Sequence, residues 1–199
     1  SVNTDVGVSI INYVGSGGNG TYAHGLGVTP EMVMVKDRTD TANWAVYHSA
    51  IGTGKYLELN TSDAVATDAV HFNSVTSTVI SVGIQGDGSI TNTDTDNYIA
   101  YCFASVNGYT GFRPAFVILV KTAGENWHMK DNKTSPFNVM RQVLDPNRNG
   151  AEVADANTDL DFLSNGFKMR ASHGTSNANA TEYFYMAFAE QPFKYANAR

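Results

Sequence analysis

The sequence predicts an all-β protein, an internally duplicated β-sandwich whose two similar halves of about 84 residues pack together. Three observations carry this. Short runs of strand-forming apolar residues recur along the 199 residues, each bounded by Gly, Asn, Asp or Thr. No stretch sustains apolar residues at i, i+3 and i+4 over helical length. Three blocks of sequence occur twice, in the same order. Pro30-Glu31-Met32-Val33-Met34-Val35-Lys36 is matched by Pro114-Ala115-Phe116-Val117-Ile118-Leu119-Val120-Lys121, and Asn43-Trp44 by Asn126-Trp127, which hold the only 2 tryptophans. Tyr98-Ile99-Ala100-Tyr101-Cys102-Phe103-Ala104 is matched by Tyr183-Phe184-Tyr185-Met186-Ala187-Phe188-Ala189. Pro114 follows Pro30 by 84 residues, Trp127 follows Trp44 by 83 and Phe188 follows Phe103 by 85, so the spacing of the blocks agrees as well as their order. Two copies are too few for a solenoid, which needs about three repeats to stabilise its stack. The organisation read from the sequence is a first β repeat at 6–105, a second at 106–193 and a C-terminal tail at 194–199.

Taken in order, Val6 to Val14 alternates apolar and polar residues as a half-buried strand does, and Gly15-Ser16-Gly17-Gly18-Asn19-Gly20 ends it in a turn. Glu31 to Asp37 is apolar on both faces, which places it inside a sheet. Trp44 to His48, Lys55 to Asn60 and Ser77 to Ile84 are further strands, the last closed by Gly86-Asp87-Gly88. Tyr98 to Ala104 reads as a central strand, and Ile99, Tyr101 and Phe103 are its expected core residues. In the second half Ala115 to Lys121, Trp127 to Lys130, Val139 to Leu144, Phe167 to Ala171 and Glu182 to Ala189 replay the pattern, with Phe184, Met186 and Phe188 expected in the core. Val65 to Ala69 and Ala151 to Ala156 are the two places where a turn of helix fits. Asn107-Gly108-Tyr109-Thr110-Gly111 is a short junction, too short for a free linker, and Phe193-Lys194-Tyr195 after Pro192 is a candidate docking tail.

Composition narrows the functional classes. Charged residues are 16% and the formal net charge is −6, without a cluster of Lys and Arg, so a phosphate backbone would find no concentrated cations and nucleic acid is not an expected partner. The longest apolar run, Ala115 to Val120, is strand-sized, so membrane insertion is not expected either. The single cysteine, Cys102, lies in the most apolar segment and reads as a small buried hydrophobe. The N-terminal Ser1-Val2-Asn3-Thr4-Asp5 carries no targeting pattern.

The motifs that could carry chemistry are few. The Gly15 to Gly20 loop and Gly52-Thr53-Gly54-Lys55 lack the Gly-Lys-Ser/Thr ending and the following helix that a phosphate cradle needs. His24, His48, His71, His128 and His173 have no metal-ligand spacing and read as surface or strand-end residues. Asp159 and Asp161 would share one strand face at i, i+2, as a solvated strand edge or as the two carboxylates that a glycosidase needs. Thr91-Asn92-Thr93-Asp94-Thr95-Asp96-Asn97 is rich in hard oxygen ligands that suit Ca²⁺, and equally in Asx-turn formers. Trp44 and Trp127 are either sugar-stacking rings or equivalent core positions, and their repetition favours the core. No nucleophile–base pair, carboxylate dyad or metal cluster is legible, so catalytic, cofactor and metal residues are expected to be none and the protein is expected not to be an enzyme.

One resemblance covers nearly the whole chain. Ala23-His24-Gly25-Leu26-Gly27-Val28-Thr29-Pro30-Glu31-Met32-Val33-Met34-Val35-Lys36-Asp37-Arg38, Asn43-Trp44-Ala45-Val46-Tyr47-His48 and Lys55-Tyr56-Leu57-Glu58-Leu59-Asn60 resemble an uncharacterised domain family of tailed-bacteriophage, tail-fibre-like virion proteins. So do Tyr109-Thr110-Gly111-Phe112-Arg113-Pro114, Asp161-Phe162-Leu163-Ser164-Asn165-Gly166-Phe167-Lys168-Met169-Arg170 and Tyr185-Met186-Ala187-Phe188-Ala189-Glu190-Gln191-Pro192-Phe193. The resemblance implies a domain of marine and cyanobacterial phages that sits toward the ends of tail-fibre-like proteins, often beside concanavalin-like lectin modules, without established catalytic residues. The sequence departs from that pattern between Ser105 and Tyr109, where an extra strand-and-glycine segment is lacking, and it shows no shaft, coiled coil or virion anchor.

The expectation is therefore a virion surface protein on the particle exterior that works by binding. Its first form is an adhesion module that contacts host surface carbohydrate or envelope through Tyr-, Asn-, Thr- and Gly-rich loops. Its alternative is an architectural protein that decorates a capsid or builds an appendage, and a glycan-degrading enzyme is the third reading. The expected partners are other virion proteins, further copies of the chain and host surface carbohydrate.

Overall fold

In the computed structural model, which describes residues 1–83, 90–106 and 113–190, the period-two runs of the sequence become strands. The described regular structure is all β apart from one 3₁₀ turn at Ala156–Thr158. The turn at Gly86 to Gly88, the junction Asn107 to Gly111 and the tail after Pro192 lie outside the described residues. Two units divide the chain, Ser1–Val106 and Asn107–Arg199.

The first unit holds β1 (Val2–Asn3), β2 (Val8–Val14), β3 (Gly20–Ala23), β4 (Met32–Asp37), β5 (Ala45–His48), β6 (Lys55–Glu58), β7 (Ala66–Thr67), β8 (Ser74–Val75), β9 (Val79–Val82) and β10 (Asn97–Phe103). They form two antiparallel sheets, in the orders β1-β2-β10-β4-β5-β6-β7 and β3-β9-β8. The core brings together Val33 and Val35 of β4, Tyr98, Ala100 and Cys102 of β10, Ile80 and Val82 of β9, and Phe72. Each large apolar side chain removed from water here contributes about 1.5–3 kcal/mol. Tyr13 of β2 stacks between Tyr22, at 3.9 Å, and Tyr98, at 5.0 Å, and donates its hydroxyl to Thr91 O at 2.6 Å. Glycine is needed where β2 ends, because a Cβ on Gly15 would stand 1.8 Å from Thr93 O.

The second unit holds β11 (Pro114–Lys121), β12 (His128–Asp131), β13 (Gln142–Val143), β14 (Val153–Ala154), β15 (Leu160–Leu163), β16 (Gly166–Met169) and β17 (Tyr183–Ala189). They pair as β12-β11-β17, β13-β14 and β15-β16, and an antiparallel bridge between Met129 and Leu144 ties β12 to the end of β13. The order β10-β4-β5-β6-β7 of the first unit thus returns as β17-β11-β12-β13-β14, and the β8–β9 hairpin returns as β15–β16.

Register is preserved with the order. Met32 faces His48 and Val35 faces Ala45, as Phe116 faces Asp131 and Leu119 faces His128. Lys55 faces Thr67 as Gln142 faces Ala154, and Val75 faces Ile80 as Phe162 faces Phe167. Even a side-chain cap is copied. Thr93 N donates to the Tyr98 hydroxyl at 2.9 Å, and Ala178 N donates to the Tyr183 hydroxyl at 3.0 Å. An agreement this detailed makes the second unit a repeat of the first. Among the described residues it has no counterpart of β1, β2 and β3.

Some expectations are corrected. Ile99, Tyr101 and Phe103 are only half-buried, because period two puts them on the face of β10 opposite Tyr98, Ala100 and Cys102. In β17 Phe184 is buried, Met186 is half-buried and Phe188 is 41% exposed. An apolar pattern on both faces does not reveal which face receives the second layer. Val65 to Ala69 and Ala151 to Ala156 carry β7 and β14 instead of helical turns, and Val139 to Leu144 narrows to β13. The short strands β1, β3 and β8 escaped the sequence reading because two to four residues are too few to display a period.

Candidate functional site

Most candidate side chains are consumed in holding the fold. Asp159 and Asp161 are buried, not a solvated edge, because each carboxylate is matched by an arginine. Arg141 makes two hydrogen bonds to Asp159, at 3.0 and 2.8 Å, and Arg170 reaches Asp161 at 2.5 Å. The hydrogen bonds from Arg141 hold the Asp159 carboxyl below the usual carboxylate range, against the opposing effect of burial. A carboxylate held ionised in this way is poor at donating a proton, so Asp159 is not suited to the acid role of a glycosidase pair.

The segment Thr91 to Asn97 is likewise tied down. Asn92 is fully buried, its Oδ1 accepting from Ser16 N at 3.1 Å and from the Tyr22 hydroxyl at 2.8 Å, and its Nδ2 donating to Ser16 Oγ and Gly18 O. These bonds also occupy the glycine loop at 15–20. Asp96 is buried against Asp37, and burial followed by the Asp37 charge pushes its carboxyl upward. Among the described residues no three His, Cys, Asp or Glu side chains converge as metal ligands. Cys102 is fully buried, and burial pushes its thiol up to about 12, which leaves it unreactive.

The histidines read as surface or strand-end residues: His48 closes β5 and His128 opens β12, while His24 and His71 are buried, as is His128 itself. Each buried ring is taken up locally. His24 Nδ1 accepts from Leu26 N at 3.3 Å, His71 packs edge-on against Tyr56 at 4.5 Å, and His128 Nδ1 lies 2.9 Å from Asp145 Oδ1. Burial lowers the His71 pKa, so the ring is neutral near pH 7.

The His128–Asp145 pair, which spacing did not reveal, borders a cavity of about 10 Å³ with Lys130, Thr158 and Ser176. Serine, histidine and aspartate suggest nucleophilic chemistry, and the geometry answers against it. Ser176 donates its hydroxyl to Asn157 O at 2.6 Å, and the cavity has room for about one water and no substrate. Lys130 spans the same region, donating to Met140 O at 3.1 Å, Arg141 O at 3.4 Å and Gln142 O at 3.1 Å. Burial pulls its ammonium down to about 8.

Trp44 and Trp127 do take equivalent places, set by one device. Trp44 N donates to Asn60 Oδ1 at 2.9 Å while Asn60 Nδ2 donates to Asn43 Oδ1 at 2.6 Å. Trp127 N donates to Asn147 Oδ1 at 3.1 Å while Asn147 Nδ2 donates to Asn126 Oδ1 at 3.3 Å. The environments differ, however. Trp127 is buried edge-on against Phe184, whereas Trp44 is half-buried and stacks on Tyr101 at 6.1 Å. Equivalence of position therefore held without equivalence of burial.

In the first unit the asparagine clasp adjoins an open recess. Alternation in β6 buries Leu57 and leaves Tyr56 and Glu58 on the other side, half-exposed. Tyr56, Glu58, Asp63, Ala64 and Ala66 line a recess of about 330 Å³ between β6, β7 and the loop joining them. Its size is at the lower end of ligand pockets, about 300–1,000 Å³. The Tyr56 ring is braced by His71. Asn43 Nδ2 donates to Glu58 Oε2 at 2.7 Å, which fixes the carboxylate and opposes the upward push that burial and Asp63 give its pKa. The small side chains of Ala64 and Ala66 leave the space open. An aromatic ring beside two carboxylate acceptors suits a polyhydroxylated ligand, which presents hydroxyl donors and apolar C–H faces together. At the corresponding place in the second unit Val143 replaces Tyr56 and Asp145 replaces Glu58, and the acid is paired with His128, so the recess chemistry is not duplicated.

A domain-family profile matches the chain twice, over residues 1–110 and 109–192. The second match is the shorter, and among the described residues the second unit shows no counterparts of β1 to β3. No curated protein and no solved structure matches the chain. Together the two matches span almost every residue, and the chain belongs to the family described as a domain of unknown function, DUF7483.

Proposed function

We propose that this chain is a binding module of a virion exterior, an adhesion domain of tail-fibre type that contacts host surface carbohydrate. The single observation that supports the reading most is the recess of the first unit, where Tyr56, Glu58 and Asp63 offer an aromatic surface and two carboxylates on a fixed support. The resemblance of the repeated blocks to phage tail-fibre-like proteins supplies the setting. Catalysis is not part of the proposal, since the buried acids and the His128–Asp145 pair are engaged inside the fold. A single recess of this size binds weakly, and display of many copies on a particle raises avidity by about 10²–10⁴.

The test is retention of the protein on immobilised host surface polysaccharide, for the wild type and for Tyr56→Ala and Asp63→Asn. Retention by the wild type that both substitutions weaken about tenfold supports the reading. Retention that neither substitution changes removes the recess from the proposal, and release of oligosaccharide during incubation overturns the non-catalytic part. Absence of retention even for a multivalent array, with the protein stoichiometric with capsid subunits, replaces adhesion by capsid decoration.

A further inference from the structure

Among the described residues the second unit has no counterpart of β1 to β3, and β17 bears the mark of it. In the first unit Tyr98, Ala100 and Cys102 of β10 lie beside β2 and are each 0% exposed. At the corresponding positions of β17, Tyr183 and Ala187 are half-buried and Tyr185 is 55% exposed. The backbone shows the same gap. Glu182 O accepts from Thr122 N and Glu190 N donates to Arg113 O, so the even-numbered residues of β17 turn their polar groups toward β11. By the two-residue period, Tyr183, Tyr185, Ala187 and Ala189 turn theirs away, and among the described residues no strand pairs with that side. β17 is 7 residues long and contains neither a charge nor a proline, the devices by which natural proteins blunt an edge strand.

We propose that this edge is closed by β17 of a second copy of the chain, antiparallel about a two-fold axis through Met186. The strand's own sequence selects both the partner and the register. Centring on Met186 opposes Tyr183 to Ala189 and Tyr185 to Ala187, so each large ring meets a small neighbour. These four are the residues whose N–H and C=O groups point outward, and all of them are used. Phe184 then opposes Phe188, and Met186 opposes itself. Centring on Tyr185 would oppose two tyrosines and leave Ala189 unmatched, while centring on Ala187 would leave Tyr183 unmatched. A one-residue slip would set outward amides against inward ones. The contact is isologous, so it closes at two copies. This inference is independent of the carbohydrate reading, which concerns the other unit.

The test is disulfide trapping with the full chain. At a non-hydrogen-bonded antiparallel pair the Cα atoms are about 4.5 Å apart, within the reach of a disulfide. Met186→Cys is expected to give a covalent dimer under mild oxidation, while Tyr183→Cys alone gives none and a mixture of Tyr183→Cys with Ala189→Cys does. Buried Cys102 does not compete. Sedimentation of the unmodified chain is expected to show a concentration-dependent dimer, and Ala187→Pro, which removes an outward N–H and none bonded to β11, to give a monomer with unchanged Trp127 emission. If Ala187→Pro fails to fold, Ala187→Lys takes its place in sedimentation and is expected to be monomeric. A chain monomeric at every concentration overturns the proposal. So does a dimer that Met186→Cys does not trap, which would assign the contact to strand exchange by residues 8–23 or to another surface.

Discussion

Buried ionisable groups set the pH behaviour of each unit. Asp96 lies against Asp37, and burial with that neighbouring charge raises its carboxyl above the ordinary aspartate range. The folded state therefore holds this proton more tightly than the unfolded chain. Its stabilising effect is full below the ordinary aspartate range and is lost as pH rises through the raised value. Asp96→Asn is expected to flatten that dependence in the first unit, measured by chemical denaturation between pH 3 and 7, about the span in which carboxylates titrate. Lys130 behaves oppositely. Its ammonium titrates at about 8 when folded and near its ordinary 10.5 when unfolded, so the second unit is expected to gain stability as pH rises from about 8 toward 10.5. Lys130→Met should abolish that rise and, by removing the ammonium that donates to the carbonyls of residues 140–142, two of which keep a backbone donor, cost about 1–3 kcal/mol at pH 7. None of these pairings was legible in the sequence. Arg141 with Asp159 and His128 with Asp145 join residues 17 or 18 positions apart that come together only through strand register.

Strands were more legible than their faces. The paired blocks around Pro30 and Pro114 gave β4 and β11, and the blocks around Phe103 and Phe188 gave β10 and β17, because each is long enough to show its pattern. The buried face was misassigned in β10, since both of its faces are apolar and only packing against β9 decides between them. Truncation tests the assignment made here. Phe72→Ala, at a fully buried site, is expected to cost about 3–5 kcal/mol, and Phe103→Ala, at a half-buried one, roughly half as much. The reverse order in denaturant titrations would return Phe103 to the core. The asparagine clasps belong to this scale too. Asn147→Ala is expected to destabilise the second unit by about 1–2 kcal/mol and to red-shift Trp127 emission, because Trp127 N and Asn126 lose a shared partner. Sequence pairing revealed Asn43-Trp44 and Asn126-Trp127 but not Asn60 and Asn147, whose separations from the tryptophans differ.

At the scale of the whole molecule, the chain is one β-unit used twice and then made unequal. The first copy carries β1 to β3 and a recess lined by Tyr56, Glu58 and Asp63. The second shows no such strands among the described residues and turns the corresponding acid, Asp145, inward to His128. On the two proposals made above, the first copy would bind carbohydrate and the second would associate with another chain. The repeat was legible because three blocks kept their spacing, whereas the recess was not, since Asp63 sits in the loop after β6, whose path no pattern predicts. The proposed function is tested most directly by nuclear magnetic resonance of the isotopically labelled chain titrated with host surface polysaccharide. Shifts concentrated at residues 56–66, with no free oligosaccharide in the sample, are expected. Shifts confined to other surfaces, or no shift at saturating polysaccharide, or the appearance of oligosaccharide would contradict the proposed function.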